Sequence, residues 1–153
     1  MMDKIDWCLK QKSGIKLIEP NNNLCEEYFK SAEENLDAML KLTGKWKSIT
    51  AYYACYEAIY AILQKIGIKC DIHECTLELL NLIENINEEL KNFILDLKKE
   101  RIDIQYYLKE PKKLDEDKVK EFVLSCKAAS SLLTENQINE VRNKLGVKND
   151  WSN

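Results

Sequence analysis

Ile49 to Ile66 reads ITAYYACYEAIYAILQKI. Tyr52, Tyr53, Tyr56 and Tyr60 recur there with Ile49, Ile59, Leu63 and Ile66 at helical spacing, which draws a broad apolar stripe along one side of a helix. Ala51, Ala54, Ala58 and Ala61 fill much of the remaining surface, where small side chains let a second helix come close. A helix that is apolar or small on nearly every side belongs in the middle of a fold. The competing reading is a membrane span. Spans need about 20 nearly uncharged residues, and Glu57, Gln64 and Lys65 interrupt this run. The stretch is therefore read as the central helix of a bundle.

The rest of the composition agrees. The chain has 153 residues, 45% hydrophobic and 32% charged, with only four Gly and two Pro. That length suits one domain with a sizeable core, and so few breakers favour helices over a sheet. A net charge of −3 excludes a chain-wide basic surface, so any RNA contact must be local. No apolar run follows the early charges, as a secretion signal would require. With no such signal, the six cysteines (Cys8, Cys25, Cys55, Cys70, Cys75 and Cys126) are expected to be reduced thiols, and the protein to be cytoplasmic.

Outward from the central helix, Gly44 is expected to turn into it and Gly67 to end it. Residues 1–23 read as a preamble packing on the bundle, with a short helix closed by Gly14. Asn23 and Glu26 suggest an N-cap and capping box for a helix reaching Leu42. Asp71 and Glu74 repeat that pattern for a third helix, with Cys70 and Cys75 as its staple. A fourth helix is predicted from Glu88 to Lys109, stopped by Pro111, and Asp115 caps a fifth. A short helix from Asn136 to Leu145, ended by Gly146, leads the tail. The bundle proper is thus 24–135, with 136–153 as C-terminal helix and tail. No repeat or linker marks a second domain.

Arg101 is the most informative residue for chemistry. It lies four residues after Leu97 and three before Ile104, on the edge of an apolar stripe. Burying a guanidinium is costly without partners. Two readings stand: an internal pair with a neighbouring carboxylate or a tyrosine hydroxyl of the central helix, or a phosphate-binding arginine in a groove. Gln105 shares its face, Tyr106 and Tyr107 follow, and Lys98 and Lys99 precede it. His73 is the single histidine, placed in a first turn where the helix dipole disfavours its charged form. It is read either as a base or ligand, or as a locally bonded residue. Cys70, His73 and Cys75 lack the paired spacing of structural zinc, and no metal or other cofactor is expected. No glycine-rich phosphate loop is present either.

From Ser31 onward the chain resembles the HEPN superfamily, the higher eukaryotes and prokaryotes nucleotide-binding domain, in its short stand-alone prokaryotic form. Ser31-Ala32-Glu33-Glu34-Asn35-Leu36 is similar to the family's first-helix motif, and Ala51-Tyr52-Tyr53-Ala54-Cys55-Tyr56-Glu57-Ala58 to its second. Gly67 followed by His73 is similar to the entry into its third helix. Arg101-Ile102-Asp103-Ile104-Gln105-Tyr106-Tyr107 stands where the family carries its arginine motif, ahead of a last helix like Asp115 to Leu133.

The resemblance implies an all-α, antiparallel up-and-down bundle of four to five helices that forms homodimers. It also implies a partnership with a small nucleotidyltransferase acting as antitoxin. Many members are metal-independent endoribonuclease toxins using R-x-x-x-x-H, whose arginine holds phosphate. Arg101 matches that arginine, but Tyr106 stands in the histidine's position. A phenol is a poor general base near neutral pH, and losing an acid–base group removes about 10²–10⁴-fold of rate. The leading expectation is an RNA- or nucleotide-binding protein, weakly catalytic or non-catalytic, contacting its ligand through Arg101, Gln105, Tyr106, Tyr107 and Lys98. An active ribonuclease using Arg101 with Tyr106 or His73 is the first alternative. A structural or adaptor bundle is the second.

Overall fold

The computed structural model describes residues 3–152, with side chains described as far as Gly146. The chain is mostly helical. Its helices are α1 Lys4–Lys10, α2 Asn22–Lys41, α3 Lys45–Ile66, α4 His73–Glu78, α5 Glu88–Tyr107, α6 Glu116–Leu132 and α7 Glu135–Ser152. A one-turn 3-10 helix, Leu79–Leu82, continues α4. Two short strands, β1 Lys16–Leu17 and β2 Ile68–Lys69, pair antiparallel, Lys16 opposite Lys69 and Leu17 opposite Ile68. Their pairing ties the preamble to the end of α3 and had no counterpart in the sequence reading.

α3 is the central element. It packs against α2, α4, α5, α6, α7 and β2. Tyr52, Ile59, Ile62, Leu63 and Ile66 are wholly buried, and the alanines Ala51, Ala54, Ala58 and Ala61 are equally closed off. Each large side chain so buried contributes about 1.5–3 kcal/mol. Phe122 and Val119 from α6, Leu90 and Ile94 from α5, and Met39 from α2 complete this core. No helix among the described residues is long and apolar enough to cross a membrane.

Both ends of α3 are set by glycine. Gly44 at φ 64° starts it, and Gly67 at φ 91° ends it in the left-handed region, its N–H bonded to Leu63 O. At the adjoining end of α2, Lys47 Nζ donates to the carbonyls of Met39 (3.0 Å) and Leu42 (3.3 Å), satisfying groups the helix leaves open.

Several boundaries differ from the sequence reading. The cap of α2 is Asn21, whose side chain accepts from Leu24 N at 2.9 Å, not Asn23. α4 begins at His73 behind Ile72, with no side-chain cap, so Asp71 does not form a capping box. α5 stops at Tyr107, because Leu108 turns left-handed at φ 53° and hands its neighbour's N–H to Asp103 O. α7 runs through Gly146 to Ser152, a longer tail helix than expected. Asp115 does cap α6, accepting from Lys118 N at 3.1 Å.

The cysteine reading is corrected as well. Cys8 and Cys75 form a disulfide that joins α1 to α4. Cys25, Cys55, Cys70 and Cys126 are free and buried. Cys75 is therefore neither a thiol staple nor a zinc ligand, and the preamble is covalently joined to α4 through α1. Among the described residues no cluster of His, Cys, Asp and Glu could hold a metal ion.

Candidate functional site

Tyrosines four residues apart stand one above another on a helix. On α3 the rings of Tyr52 and Tyr56 stack with centroids 5.8 Å apart, and those of Tyr56 and Tyr60 at 6.1 Å. Each hydroxyl of this ladder reaches the segment from Cys70 to Thr76. Tyr52 pairs with His73 Nδ1 at 2.8 Å and Tyr56 with Thr76 Oγ1 at 3.2 Å, while Tyr60 accepts from the Cys70 N–H at 3.2 Å. His73 also lies flat on Tyr56, 4.1 Å between centroids at 16°. Side chains of α3, the Cys8–Cys75 disulfide and the Asp71 N–H bond to Ser13 O hold this segment in place, rather than a local cap.

Arg101 approaches the same ladder from α5. Its guanidinium carbon lies 4.8 Å over the Tyr52 ring and 5.8 Å from that of Tyr53, within cation–π range. Nη1 donates to Gln105 Oε1 at 3.1 Å and, more weakly, to the Tyr53 hydroxyl at 3.4 Å. Its Nε is buried without a hydrogen-bond partner. Arg101 makes no salt bridge among the described residues. The tyrosine half of the internal-pair reading is thus present, and the carboxylate half is missing.

The charges that shift His73 are both positive. Burial, then Arg101 and then Lys98, push the His73 pKa below its ordinary value, so its ring is neutral at neutral pH. Lys98 is lowered too, by burial first and by the charges of Arg101 and Lys4 after it. Burial raises Tyr52, and raises Tyr56 to about 12, so both keep their protons.

These facts fix the tautomer of His73. The wholly buried Tyr52 hydroxyl has His73 Nδ1 as its one hydrogen-bond partner among the described residues. Were Nδ1 the donor, the Tyr52 proton would be buried without an acceptor, at a cost of about 1–3 kcal/mol. Tyr52 therefore donates to Nδ1, and the imidazole carries its own proton on Nε2. His73 then presents an N–H donor beside two cations, an arrangement that suits an anion.

A cleft of about 270 Å³ adjoins this group, lined by Tyr28, Tyr53, Tyr56 and Tyr60 with His73. Glu57, Cys70 and Asp71 complete its lining. Tyr28 of α2 meets Tyr60 edge-on at 5.0 Å, and Asn35 donates to Glu57 Oε2 at 3.0 Å.

Of the residues singled out from sequence, Arg101, Gln105, Lys98 and His73 come together. Tyr106 and Tyr107 do not join them. They stand 72% and 68% exposed at the end of α5, and neither has a hydrogen bond or ring contact among the described residues. The sequence reading missed Tyr52, Tyr56, Glu57 and Asp71 as site residues. The Tyr52–Tyr56–Tyr60 spacing was the available signal for the ladder. A scan against protein-family models finds no match, and searches of curated proteins and of solved structures find none either.

Proposed function

We propose that this protein binds RNA or a nucleotide through its phosphate at Arg101, with Lys98 and His73 as further contacts and the adjoining tyrosines as stacking surface. One observation carries the reading: among the described residues the part-buried Arg101 guanidinium has no carboxylate partner, only Gln105 and the Tyr53 hydroxyl. A phosphate at the guanidinium supplies the opposite charge that Arg101 lacks. Non-catalytic or weakly catalytic binding is favoured over cleavage, because the Nε2–H tautomer makes His73 a donor rather than a base. The second reading, a metal-independent ribonuclease, is favoured by the placement of His73 beside Arg101. The HEPN-like bundle order, homodimer and nucleotidyltransferase partner implied by the resemblance belong to the same proposal, as does a cytoplasmic setting.

Anisotropy titration of a labelled single-stranded RNA tests it. Arg101→Ala should weaken binding about tenfold to a hundredfold, the worth of a charged hydrogen-bonding contact. It should also reduce the slope of log K against log salt by about 0.7. Unchanged affinity with a lowered melting temperature would instead assign Arg101 a structural role. Incubating the same RNA in EDTA with wild type, Arg101→Ala, His73→Gln and Tyr106→Phe separates binding from cleavage. Scission lost with His73→Gln and kept with Tyr106→Phe would establish the ribonuclease reading.

A further inference from the structure

The surroundings of Arg101 carry two opposite characters side by side. Arg101 and Lys98 are cations without salt bridges among the described residues, and both face His73. The tyrosine cleft, in contrast, is lined by the carboxylates of Glu57 and Asp71. Tyr53 belongs to both regions: it lines the cleft, and its hydroxyl and ring meet Arg101. A phosphate fits the first region and is repelled by the second. A ligand that occupies both must therefore carry an uncharged group rich in hydrogen-bond donors next to its phosphate.

At about 270 Å³ the cleft lies just under the roughly 300–1,000 Å³ of sites for drug-sized molecules, which leaves room for one planar ring system rather than a whole nucleotide. Its tyrosine lining suits a flat π-system. Its two carboxylates, acceptors only, select among bases. Glu57 Oε2 already takes a bond from Asn35, while Oε1 is open and the Asp71 carboxylate accepts no hydrogen bond among the described residues. Uracil turns two carbonyl oxygens toward such a wall. Adenine and cytosine each offer one amino group beside a bare ring nitrogen. Guanine alone offers two adjacent donors, N1–H and the N2 amino group, which match one carboxylate in a bidentate pair.

We propose that the tyrosine cleft is a base subsite for guanine, with Asp71 accepting from N1–H and N2–H, Glu57 Oε1 as the second acceptor, and the phosphate lying toward Arg101 and Lys98. This rests on the phosphate reading above and adds the identity of the base.

Calorimetric titration of the full-length protein with GMP, IMP, AMP, CMP and UMP tests it, since IMP lacks only the N2 amino group. GMP should bind about tenfold or more tighter than IMP, and tighter again than AMP or UMP, because each lost donor leaves a carboxylate short of a charged hydrogen bond. Asp71→Asn should erase this ranking while weak binding of every nucleotide survives, and its circular dichroism melt should match wild type. Arg101→Ala should weaken all five nucleotides by a similar factor. A U-rich hexamer carrying one G, compared with its A counterpart, reports whether the guanine is read in RNA or as a free nucleotide; a G preference in either form supports the subsite. Equal affinity for all bases, with Arg101 still required, overturns the base assignment and leaves the phosphate reading intact. Binding of tetramethylammonium in competition with GMP would mark the cleft as a site for organic cations and also overturn it. Failure of every nucleotide and hexamer to bind removes the phosphate reading, and this inference with it.

Discussion

His73 ties its chemistry to its environment more tightly than any other side chain of the site. Its Nδ1 is bonded to Tyr52, its ring lies on Tyr56, and Arg101 and Lys98 face it from α5. Burial, and after it the charges of Arg101 and Lys98, disfavour the imidazolium. The folded-state pKa is lowered from 6.5, so as pH falls below about 6.5 the unfolded chain takes up a proton before the folded one does. Stability from this residue is whole above that pH and is lost progressively on acidification. The melting temperature of wild type should therefore fall between about pH 7.5 and 5.5, before the ordinary carboxylates titrate. That of His73→Gln should stay nearly flat over the same range. Parallel curves for the two proteins would show that His73 is not held neutral. At this scale the sequence was half legible. The position of Arg101 on an apolar edge could be read from spacing, and so could a tyrosine hydroxyl as its partner. The meeting of His73 with Arg101 could not, because they stand on different elements and meet only across the rings of α3.

At the scale of elements, α3 was readable in full and α4 was not, for a physical reason. The limits of α3 are set by local backbone demands, and glycine is the residue that meets them. The start of α4 is held by contacts with other elements, three tyrosine hydroxyls of α3, the Ser13 carbonyl and the bond to Cys8, and the Asp71–Glu74 spacing makes no cap there. The two glycines of α3 also differ in a way that can be measured. A Cβ on Gly44 would meet nothing within 4 Å, so Gly44→Ala carries only the cost of a backbone at φ 64°, ψ −141° that L side chains rarely adopt, about 1–3 kcal/mol. A Cβ on Gly67 would come within 2.5 Å of Ile18 O and closer still to Arg142 Nη1. That guanidinium bonds the carbonyls of Ile18 (2.8 Å), Ile66 (3.2 Å) and Gly67 (2.9 Å), joining α7 to the end of α3. Gly67→Ala must move both, and should lose about 2 kcal/mol or more. Urea denaturation of Gly67→Ala measures the loss; one no larger than the about 1 kcal/mol of a left-handed backbone alone would mean that Arg142 and the Ile18 backbone yield without cost.

For the whole molecule, the least legible feature is the bond between Cys8 and Cys75. Nothing in the spacing of six cysteines distinguishes one pair among many, and thiols were expected throughout. Their pairing is a tertiary fact: α1 packs against α4, which brings two Cα atoms 67 residues apart in sequence to 5.8 Å. With one pair bonded, the cysteines no longer argue for a strongly reducing compartment. The four remaining thiols are buried, and burial raises the pKa of each, so they are poorly placed to exchange with that bond. A cross-link of this span restricts the unfolded chain by about 4 kcal/mol in the chain-entropy account. For a domain of this size each kcal/mol shifts the melting temperature by about 2–4 °C, so reduction should lower it by roughly 10 °C. Calorimetry with and without a dithiol measures the shift, and Cys8→Ser should melt at the reduced wild-type temperature under both conditions. Titration of thiols in denaturant supplies the independent count, four without reductant and six with it, matching the four free cysteines and the one bonded pair. A wild-type melt that ignores the dithiol, together with six thiols at the outset, would mean that α1 is held against α4 by packing and by the Lys4–Glu74 ion pair alone.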